Sequence, residues 1–245
     1  MRPLKGLLLA LLAVLVLLAI AGLVWLLNPS EAEQTALDAA LFDPNVSVQQ
    51  VGEFVVLKPV AAQPSRGILF YPGMHVASEA YIPKLAGVVA ATGSGIVIGR
   101  PALGIAFLSI GQADEMKSLL PAAKTWYVAG HSMGGAAACM YASSHHEVLE
   151  GVMLFGTYCG SDLSKTDLRV LVVAGSSDGL FSVETIENRL SELPPDTAFD
   201  VIDGMNHAQF ANYGDQFGDQ PATIPDSVAR EALVAKVVAF LTSTK

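Results

Sequence analysis

The chain has 245 residues, with 14 basic against 23 acidic side chains and a formal net charge of −9. The first 27 residues hold two of the basic residues and none of the acidic ones, so the remainder carries 12 basic against 23 acidic residues, a charge of −11. So acidic a chain repels nucleic acids and anionic lipid surfaces, and neither is an expected partner. The length is sufficient for one domain with a sizeable buried core.

The chain begins with an apolar segment, residues 6–27, that contains no charged side chain. A helix of this length spans about 33 Å, enough to cross the hydrocarbon core of a bilayer. Arg2 and Lys5 precede the segment and acidic residues follow it, so the positive-inside rule puts the N-terminus in the cytoplasm. Residues 1–27 are therefore predicted to be a signal-anchor in the cell membrane, a single-pass transmembrane helix with the remaining chain on the extracytoplasmic side.

A cleaved signal peptide is the alternative, and it would make the protein secreted or periplasmic. Ala19-Ile20-Ala21 resembles a cleavage site, but the apolar run continues through residues 23–27. Cleavage there would leave an apolar new N-terminus, so the sequence favours the uncleaved anchor. Residues 28–45 are expected to form a linker that holds the domain off the membrane, with one short helix over residues 31–41 and Ser30 as its cap.

Residues 46–245 alternate between strand-like and helix-like segments, which is typical of a single α/β domain with a mostly parallel sheet and helices on both faces. A β-hairpin is predicted first, over residues 46–50 and 54–57. The other strands are predicted at residues 67–71, 95–98, 126–129, 151–155, 169–174 and 198–202. Helices are predicted at residues 79–91, 105–120, 136–142, 183–193 and 227–241.

The turn Gly130-His131-Ser132-Met133-Gly134 joins a strand-like run to a helical run of small residues. Strand, G-x-S-x-G and helix in this order are typical of a nucleophile elbow. The turn is so tight that side chains at its flanking positions would collide, so glycine is needed there. Ser132 is thereby predicted to lie at the edge of the sheet. Its hydroxyl then faces the positive end of the following helix, where a developing negative charge is stabilised.

A serine nucleophile needs a base, and the base needs a carboxylate that orients it. In this architecture the partners follow the serine in the order acid, then histidine. Of the five histidines, two precede Ser132 and two lie at or just past the end of the helix that follows it: His75, His131, His145 and His146. His207 remains, on a polar loop after a strand-like run, and it is the predicted base.

Asp178 is the predicted acid because it follows residues 169–174, a continuous apolar run of the kind that forms a parallel strand buried on both faces. The carboxyl ends of such strands are where ligand chemistry collects in open α/β sheets. Asp203 stays open as a second candidate, although the pair Asp203-Gly204 is common in turns. No apolar strand leads into the two remaining candidates, Asp162 and Asp167.

The tetrahedral intermediate of acyl transfer needs backbone N–H donors for its oxyanion. Met133, directly after the nucleophile, is the first predicted donor. Met74 is the second, in the loop that follows the first parallel strand, where Gly73 lets the chain turn inward. A plain Pro-Gly turn is the alternative interpretation of this loop.

On these residues the chain resembles an α/β-hydrolase from about residue 46 to the C-terminus. More narrowly, it is similar to a bacterial group of lidless, dienelactone-hydrolase-like proteins that combine a Pro-Gly oxyanion loop with an extended C-terminal signature. That signature is here Asn206-His207-Ala208-Gln209-Phe210, then Tyr213-Gly214, Gln216 and Gly218-Asp219. The oxyanion loop, Tyr71-Pro72-Gly73, departs from the His-Gly opening common among lipases. The resemblance implies the α/β-hydrolase fold and hydrolase chemistry.

Cys139 and Cys159 are the two cysteines of the chain. They are expected to be buried free thiols, because one lies on the helix after the elbow and the other just past a neighbouring strand. A disulfide stays open if the domain faces an oxidising compartment. No metal or other cofactor is expected, because no cluster of His, Cys and acidic residues has the spacing of ligands.

The sequence therefore predicts a serine hydrolase that cleaves a carboxylic ester of a small-molecule substrate through an acyl-enzyme. Ser132, His207 and Asp178 are its nucleophile, base and orienting acid. Thioesterase, lipase or peptidase activity would use the same residues, and a non-catalytic binding module with this fold is a further alternative. The oligomeric state stays open.

Overall fold

The computed structural model describes residues 2–243, so the predicted outer limits at Met1 and Lys245 lie outside the described residues. A first helix, α1, spans Arg2–Leu27. Within it, Lys5–Trp25 is a stretch of 21 residues with a mean hydropathy of 3.2, and its most apolar part is not buried. By length and composition this helix can cross a membrane, although a signal sequence has the same properties.

One sheet of eight strands forms the centre of the molecule, in the order β1-β2-β4-β3-β5-β6-β7-β8. The strand bounds are β1 Val46–Val51, β2 Phe54–Pro59, β3 Arg66–Tyr71, β4 Gly95–Ile98, β5 Thr125–His131, β6 Gly151–Phe155, β7 Arg169–Gly175 and β8 Ala198–Ile202. β1 and β2 form the predicted hairpin and β2 is antiparallel to β4, whereas all other neighbours are parallel. The predicted α/β architecture with a mostly parallel sheet is confirmed.

Helices cover both faces of the sheet, and each side has its own buried apolar cluster. Alternate residues of a strand point to opposite faces, so Ile68 and Phe70 of β3 belong to one cluster while Leu69 belongs to the other. The first cluster includes residues of α3 (Ile82–Thr92) and α7 (Asp226–Thr242). The second includes residues of α4 (Ala113–Ser118), α5 (Met133–His145) and α6 (Val183–Glu187). Burial on both faces explains why the central strands are continuous apolar runs.

The predicted helix over residues 105–120 is wrong over its first half. The chain forms a 3₁₀-helix at Ala106–Gln112, and only Ala113–Ser118 is α-helical. The hydroxyl of Tyr71 donates a 2.8 Å hydrogen bond to the carbonyl of Ile110, an oxygen that a continuous α-helix would use for its own ladder. Gly111 is also a poor helix former, so the α-helix begins after it.

Two other predicted helices are shorter than expected. The segment predicted at 183–193 is α-helical only at Val183–Glu187, followed by a 3₁₀ turn whose carbonyl at Glu192 accepts a 2.7 Å bond from the N–H of Leu163. The helix predicted at 31–41 is α2, Gln34–Leu41, with Glu33 rather than Ser30 at its N-cap position. Ser30 instead forms a parallel bridge with Val76, which commits its backbone to the loop after β3.

The segment predicted as a linker, residues 28–45, lies against the α/β domain. Leu37 and Ala40 of α2 pack on the apolar cluster beneath α3 and α7. The N–H of Glu33 donates to the carbonyl of Asn212 at 2.8 Å. These contacts fix the course of the chain from the end of α1 to the start of β1.

Cys139 and Cys159 form a disulfide, with their Cα atoms 5.4 Å apart. The expectation of free thiols is therefore wrong. α5, which carries Cys139, packs directly on β6, and Thr157 in the chain that leaves β6 lies against Gly135 of this helix. The helix and the loop thus come within the Cα separation that a disulfide allows.

Candidate active site

Ser132 lies in the turn between β5 and α5, at the carboxyl edge of the parallel strands. Its backbone has φ 55° and ψ −124°, a conformation that residues with a side chain rarely adopt. Such a strained conformation persists only where the surrounding structure enforces it. Strained residues of this kind are concentrated at functional sites. The N–H of Ser132 donates to the carbonyl of Phe155 at 2.9 Å, which ties the turn to β6.

The two glycines that flank the turn are required by space. A Cβ on Gly130 would lie 2.3 Å from the backbone of Gly134, and a Cβ on Gly134 would lie 1.9 Å from the carbonyl oxygen of Tyr71. Neither backbone contact can be relieved by a side-chain rotation. The crowding predicted for this turn is therefore present, and it brings the start of α5 against the end of β3.

Asp178 and His207 lie in the loops after β7 and β8 and form a buried pair. Oδ2 of Asp178 is 2.8 Å from Nδ1 of His207, and both side chains are fully buried. The other carboxylate oxygen, Oδ1, accepts backbone hydrogen bonds from Leu180 at 2.8 Å and Phe181 at 2.7 Å. Because both oxygens of a carboxylate accept hydrogen bonds, Nδ1 of His207 is the donating nitrogen of this pair.

Nε2 of His207 is buried and has no hydrogen-bond partner among the described residues. His207 and Ser132 line the same cavity, which has a volume of about 710 Å³. No hydrogen bond joins Nε2 to the Ser132 hydroxyl in the described part of the chain. Catalytic hydrogen bonds are commonly long before a substrate is bound, and they tighten in the complex.

Met74 and Met133, the predicted oxyanion residues, line this cavity as well. Within the described residues, neither backbone N–H donates a hydrogen bond to a protein acceptor, so both remain available to a ligand. The loop before Met74 is fixed by the N–H of Gly73, which donates to the hydroxyl of Tyr81 at 2.8 Å. After Met74, His75 takes a left-handed backbone with φ 60°, and its N–H donates to the carbonyl of Gly104 at 2.9 Å.

Asp203, His145 and His146, which the sequence did not favour as site residues, lie in other surroundings. Oδ1 of Asp203 accepts a 2.9 Å hydrogen bond from the hydroxyl of Ser176, which in turn accepts from the N–H of Gly204, as expected for a turn former. Nδ1 of His145 lies 3.0 Å from the carbonyl of Tyr141 on its own helix. His146 follows α5 in a 3₁₀ turn. The structure thus brings Asp178, and not Asp203, to the imidazole of His207.

His131 and Tyr81 form a buried arrangement beside His207 that the sequence analysis missed. The Tyr81 hydroxyl accepts from Gly73 and lies 3.0 Å from Nδ1 of His131. Burial raises the pKa of Tyr81, so its proton stays on the hydroxyl and is donated to Nδ1. The rings of His131 and His207 are 4.4 Å apart. His131 was set aside because it precedes Ser132, and only its position next to the nucleophile could have indicated a role.

The charge state of His131 follows from its surroundings. Burial holds the pKa of His131 well below its usual value of 6.5, and the nearby His207 lowers it further, while the backbone of His207 opposes the shift. His131 is therefore neutral near pH 7. Because Nδ1 accepts from Tyr81, Nε2 of the neutral ring carries the proton, and it is buried without a partner among the described residues.

Asp219 connects the loops that carry Asp178 and His207. Its Oδ1 accepts from the N–H of Gly179 at 2.9 Å and its Oδ2 from the N–H of Ala208 at 2.9 Å. These donors directly follow the acid and the base in sequence. Asp219 belongs to the C-terminal signature, but this role could not be predicted, because nothing in the local sequence indicates what Asp219 bridges.

The family model for the alpha/beta hydrolase family matches residues 67–231. The chain belongs to the alpha/beta hydrolase family. The matched region runs from β3 into α7 and includes Ser132, Asp178 and His207. No match was found among curated proteins.

Solved structures of hydrolases share this alpha/beta hydrolase fold. The esterase of Pyrobaculum calidifontis matches with a TM-score of 0.61 at 13% identity, over 86% of this chain and 91% of that one. A protein described as a predicted CIB-like hydrolase from Thermoplasma acidophilum matches with a TM-score of 0.60 at 16% identity, over 80% and 98%. A bacterial membrane phospholipase A matches with a TM-score of 0.58 at 14% identity, over 95% and 99%. At these identities the likeness concerns the fold.

Proposed function

We propose that this alpha/beta hydrolase is a serine esterase that cleaves a carboxylic ester through an acyl-enzyme intermediate. The observation that carries the proposal is that His207, which is paired with the buried Asp178, lines the same cavity as Ser132. The strained backbone of Ser132 and the unpaired Nε2 of His207 give further support, since both are costly unless they serve a reaction.

In the proposed reaction, His207 Nε2 takes the proton of the Ser132 hydroxyl as the oxygen attacks the ester carbonyl. Asp178 keeps Nδ1 protonated and stabilises the imidazolium. The N–H groups of Met74 and Met133 bind the oxyanion of the tetrahedral intermediate. The imidazolium then gives its proton to the leaving alcohol, and the acyl group stays on Ser132. Water, deprotonated by His207, attacks the acyl-enzyme, which releases the carboxylic acid and restores the serine.

The cavity suits a small-molecule ester with an apolar group. Its wall includes the aromatic rings of Phe107 and Phe181 and the side chain of Leu180. No helix occurs between β6 and β7 in the described chain, so no helical lid is inserted there. This openness and the Pro72-Gly73 loop support membership in the lidless, dienelactone-hydrolase-like group. Thioesters, lipids and peptides are the alternative substrates, and a panel of esters, thioesters and amides ranks them.

We propose further that residues 6–27 anchor the protein in the cell membrane with the catalytic domain on the extracytoplasmic side. Arg2 and Lys5, which precede the apolar segment, support this orientation, and so does the disulfide, because disulfides persist in oxidising compartments. Protease added to intact spheroplasts should digest the domain, whereas full protection would reverse the orientation. A chain that lacks residues 1–27 in the soluble fraction would indicate a cleaved signal peptide.

Ser132→Ala tests the proposed function. The purified protein should hydrolyse p-nitrophenyl butyrate, and the variant should lose roughly 10⁴-fold or more in kcat, because only binding and the oxyanion donors remain. Ser144→Ala, an exposed serine on the same helix, is the matched control and should behave as the wild type. Equal activity of wild type and Ser132→Ala would refute the nucleophile, and an inactive wild type would favour a binding module.

The variants Asp178→Asn and Asp203→Asn test which aspartate orients His207. Asp178→Asn should lower kcat by roughly 10²–10⁴-fold, because the amide no longer fixes the tautomer of His207. Asp203→Asn should leave kcat close to the wild-type value, since Asp203 bonds to Ser176 instead. The opposite result would move the acid to position 203.

A further inference from the structure

We propose that the cavity opens onto the surface of the bilayer and that the enzyme takes its ester from an amphiphile embedded in that bilayer. This inference rests on the proposed function and names the source of its substrate. Three observations carry it: the contact between α1 and the oxyanion loop, the apolar ring around the cavity mouth, and the charge of the domain.

The end of α1 contacts the loop that carries Met74. The ring of Trp25 stacks on the ring of His75, with centroids 4.0 Å apart and planes at 11°, and the carbonyl of Trp25 is hydrogen-bonded to Nε2 of His75. A few residues later, the N–H of Ser30 donates to the carbonyl of His75 at 2.8 Å. The N–H of Ala77 donates back to Ser30 at 2.9 Å. The anchor and the oxyanion loop are therefore held together at the point where the helix ends.

This contact sets the height of the cavity above the membrane. Trp25 is the last residue of the apolar stretch Lys5–Trp25, whose length of about 32 Å matches the hydrocarbon core. Tryptophan at such a position lies at the level of the lipid headgroups. Because His75 contacts Trp25 directly, Met74 and the mouth of the cavity lie at nearly the same level.

The mouth of the cavity and the loop next to it are surrounded by exposed apolar side chains, which we call the rim. The rim consists of Met74, Leu103, Phe107, Leu108, Leu180 and Phe217, with exposed fractions between 39% for Leu180 and 101% for Phe217. Four of its members line the cavity itself: Met74, Phe107, Leu180 and Phe217. The turn that contains Leu103 also contacts α1, so the rim is continuous with the anchor. A cluster of exposed apolar side chains of this size indicates a surface that contacts a membrane or another molecule when the protein functions.

The charge of the protein decides which kind of bilayer surface fits. The described residues that line the cavity include no Lys or Arg that would bind anionic headgroups, and the chain after residue 27 carries a formal charge of −11. Contact must therefore come from insertion of apolar side chains, as in interfacial segments, and a zwitterionic bilayer is the matching surface. An acyl chain can then pass from the bilayer along the rim to Ser132 without crossing water, which avoids the cost of exposing it.

A depth measurement tests the contact without any use of activity. The full chain carrying Leu108→Cys is labelled with an environment-sensitive fluorophore and reconstituted in phosphatidylcholine vesicles; the native cysteines are paired and do not react. The emission should shift to shorter wavelength and be quenched by brominated acyl chains. Val60→Cys is the matched control, because Val60 is exposed at the end of β2, on the opposite edge of the sheet. A fluorophore at this position should keep the emission of a water-exposed probe. A Leu108→Cys probe that reports water overturns the inference.

A hydrolysis measurement tests the source of the substrate. In the double variant Leu103→Glu/Leu108→Glu, neither residue lines the cavity, so the kcat/KM for p-nitrophenyl butyrate should be unchanged. Release of fatty acid from phosphatidylcholine vesicles should fall at least tenfold, because charged side chains resist insertion. Val60→Glu/Val148→Glu, which changes exposed apolar residues far from the mouth, should alter neither rate.

The two measurements separate this inference from the proposed function. Equal loss on both substrates, or no loss on vesicles, overturns the bilayer as the source while esterase activity stands. A wild-type protein that cleaves neither substrate overturns the proposed function, and with it the claim about substrate, whereas the fluorophore still reports whether the rim contacts lipid.

Discussion

His131, the residue before Ser132, limits the positive charge that the site can carry. His131 is neutral, because burial holds its pKa well below 6.5, and its ring lies 4.4 Å from that of His207. Two cations at this separation would repel each other strongly in a buried site. A neutral His131 therefore leaves the positive charge of the reaction to His207.

The lowered pKa of His131 predicts how stability depends on pH. In the unfolded chain His131 titrates near 6.5, so below that pH the unfolded state binds a proton that the folded state does not. Its contribution to stability is thus fully present above pH 6.5 and is lost as the pH falls towards the folded pKa. Urea unfolding at pH 7.5 and 5.5 should show that His131→Gln loses about 1 kcal/mol less than the wild type over this interval.

The comparison of the wild type with His131→Gln isolates the titration of His131. The wild type and His131→Gln share all other titrating groups, so their common losses cancel in the difference. Equal losses of unfolding free energy in the two proteins would mean that His131 accepts its proton freely in the folded state.

The pairing of Asp178 with His207 could be predicted from the sequence, because the chain order of a strand-based site restricts the choice, while the catalytic roles of Ser132, Asp178 and His207 stay predictions. The sequence was insufficient for Tyr81 and Asp219, whose partners lie 50 and 40 residues away along the chain. No local pattern distinguishes such side chains from ordinary polar residues.

Among the elements, the loops after β7 and β8 decide whether the acid and the base stay aligned. Asp219, from the segment before α7, accepts from the N–H of Gly179 and the N–H of Ala208. A third bond, from the side chain of Asn206 to the carbonyl of Gln220 at 2.8 Å, joins the same segments. The alignment of the pair therefore depends on a segment that lines only part of the cavity.

Asp219→Ala should loosen both loops. Because both loops lose a hydrogen bond to the same carboxylate, kcat/KM for a soluble ester should fall roughly tenfold or more, with a moderate loss of stability. Asp215→Ala, an exposed residue of the same segment, is the matched control. Unchanged kinetics in Asp219→Ala would show that the loops hold their position without this carboxylate.

Strands were easier to predict than helices for a physical reason. The central strands are buried on both faces and must be apolar throughout, which the sequence displays directly. Residues 105–120 have enough apolar positions for a helix, yet Tyr71 takes the carbonyl of Ile110 and the α-helix starts only at Ala113. That competition involves a strand 39 residues earlier and cannot be seen in the local pattern.

Across the whole molecule, the features that the sequence left open or misjudged all join distant parts of the chain. The disulfide links α5 to the exit of β6, α2 packs on the domain, and α1 ends against the oxyanion loop. Each depends on how the sheet brings segments together, which composition and spacing do not encode. Together they connect α1, the loop after β3 and the helix that follows Ser132.

The central claim is that Ser132 is activated by His207, which lines the same cavity and is oriented by Asp178. A fluorophosphonate probe on the full-length protein, followed by mass spectrometry of its peptides, tests this most directly. The predicted result is a single phosphonyl group on Ser132, no labelling of Ser132→Ala, and labelling slowed at least 10³-fold in His207→Gln. A phosphonyl group on another residue, or labelling of His207→Gln at the wild-type rate, would contradict it.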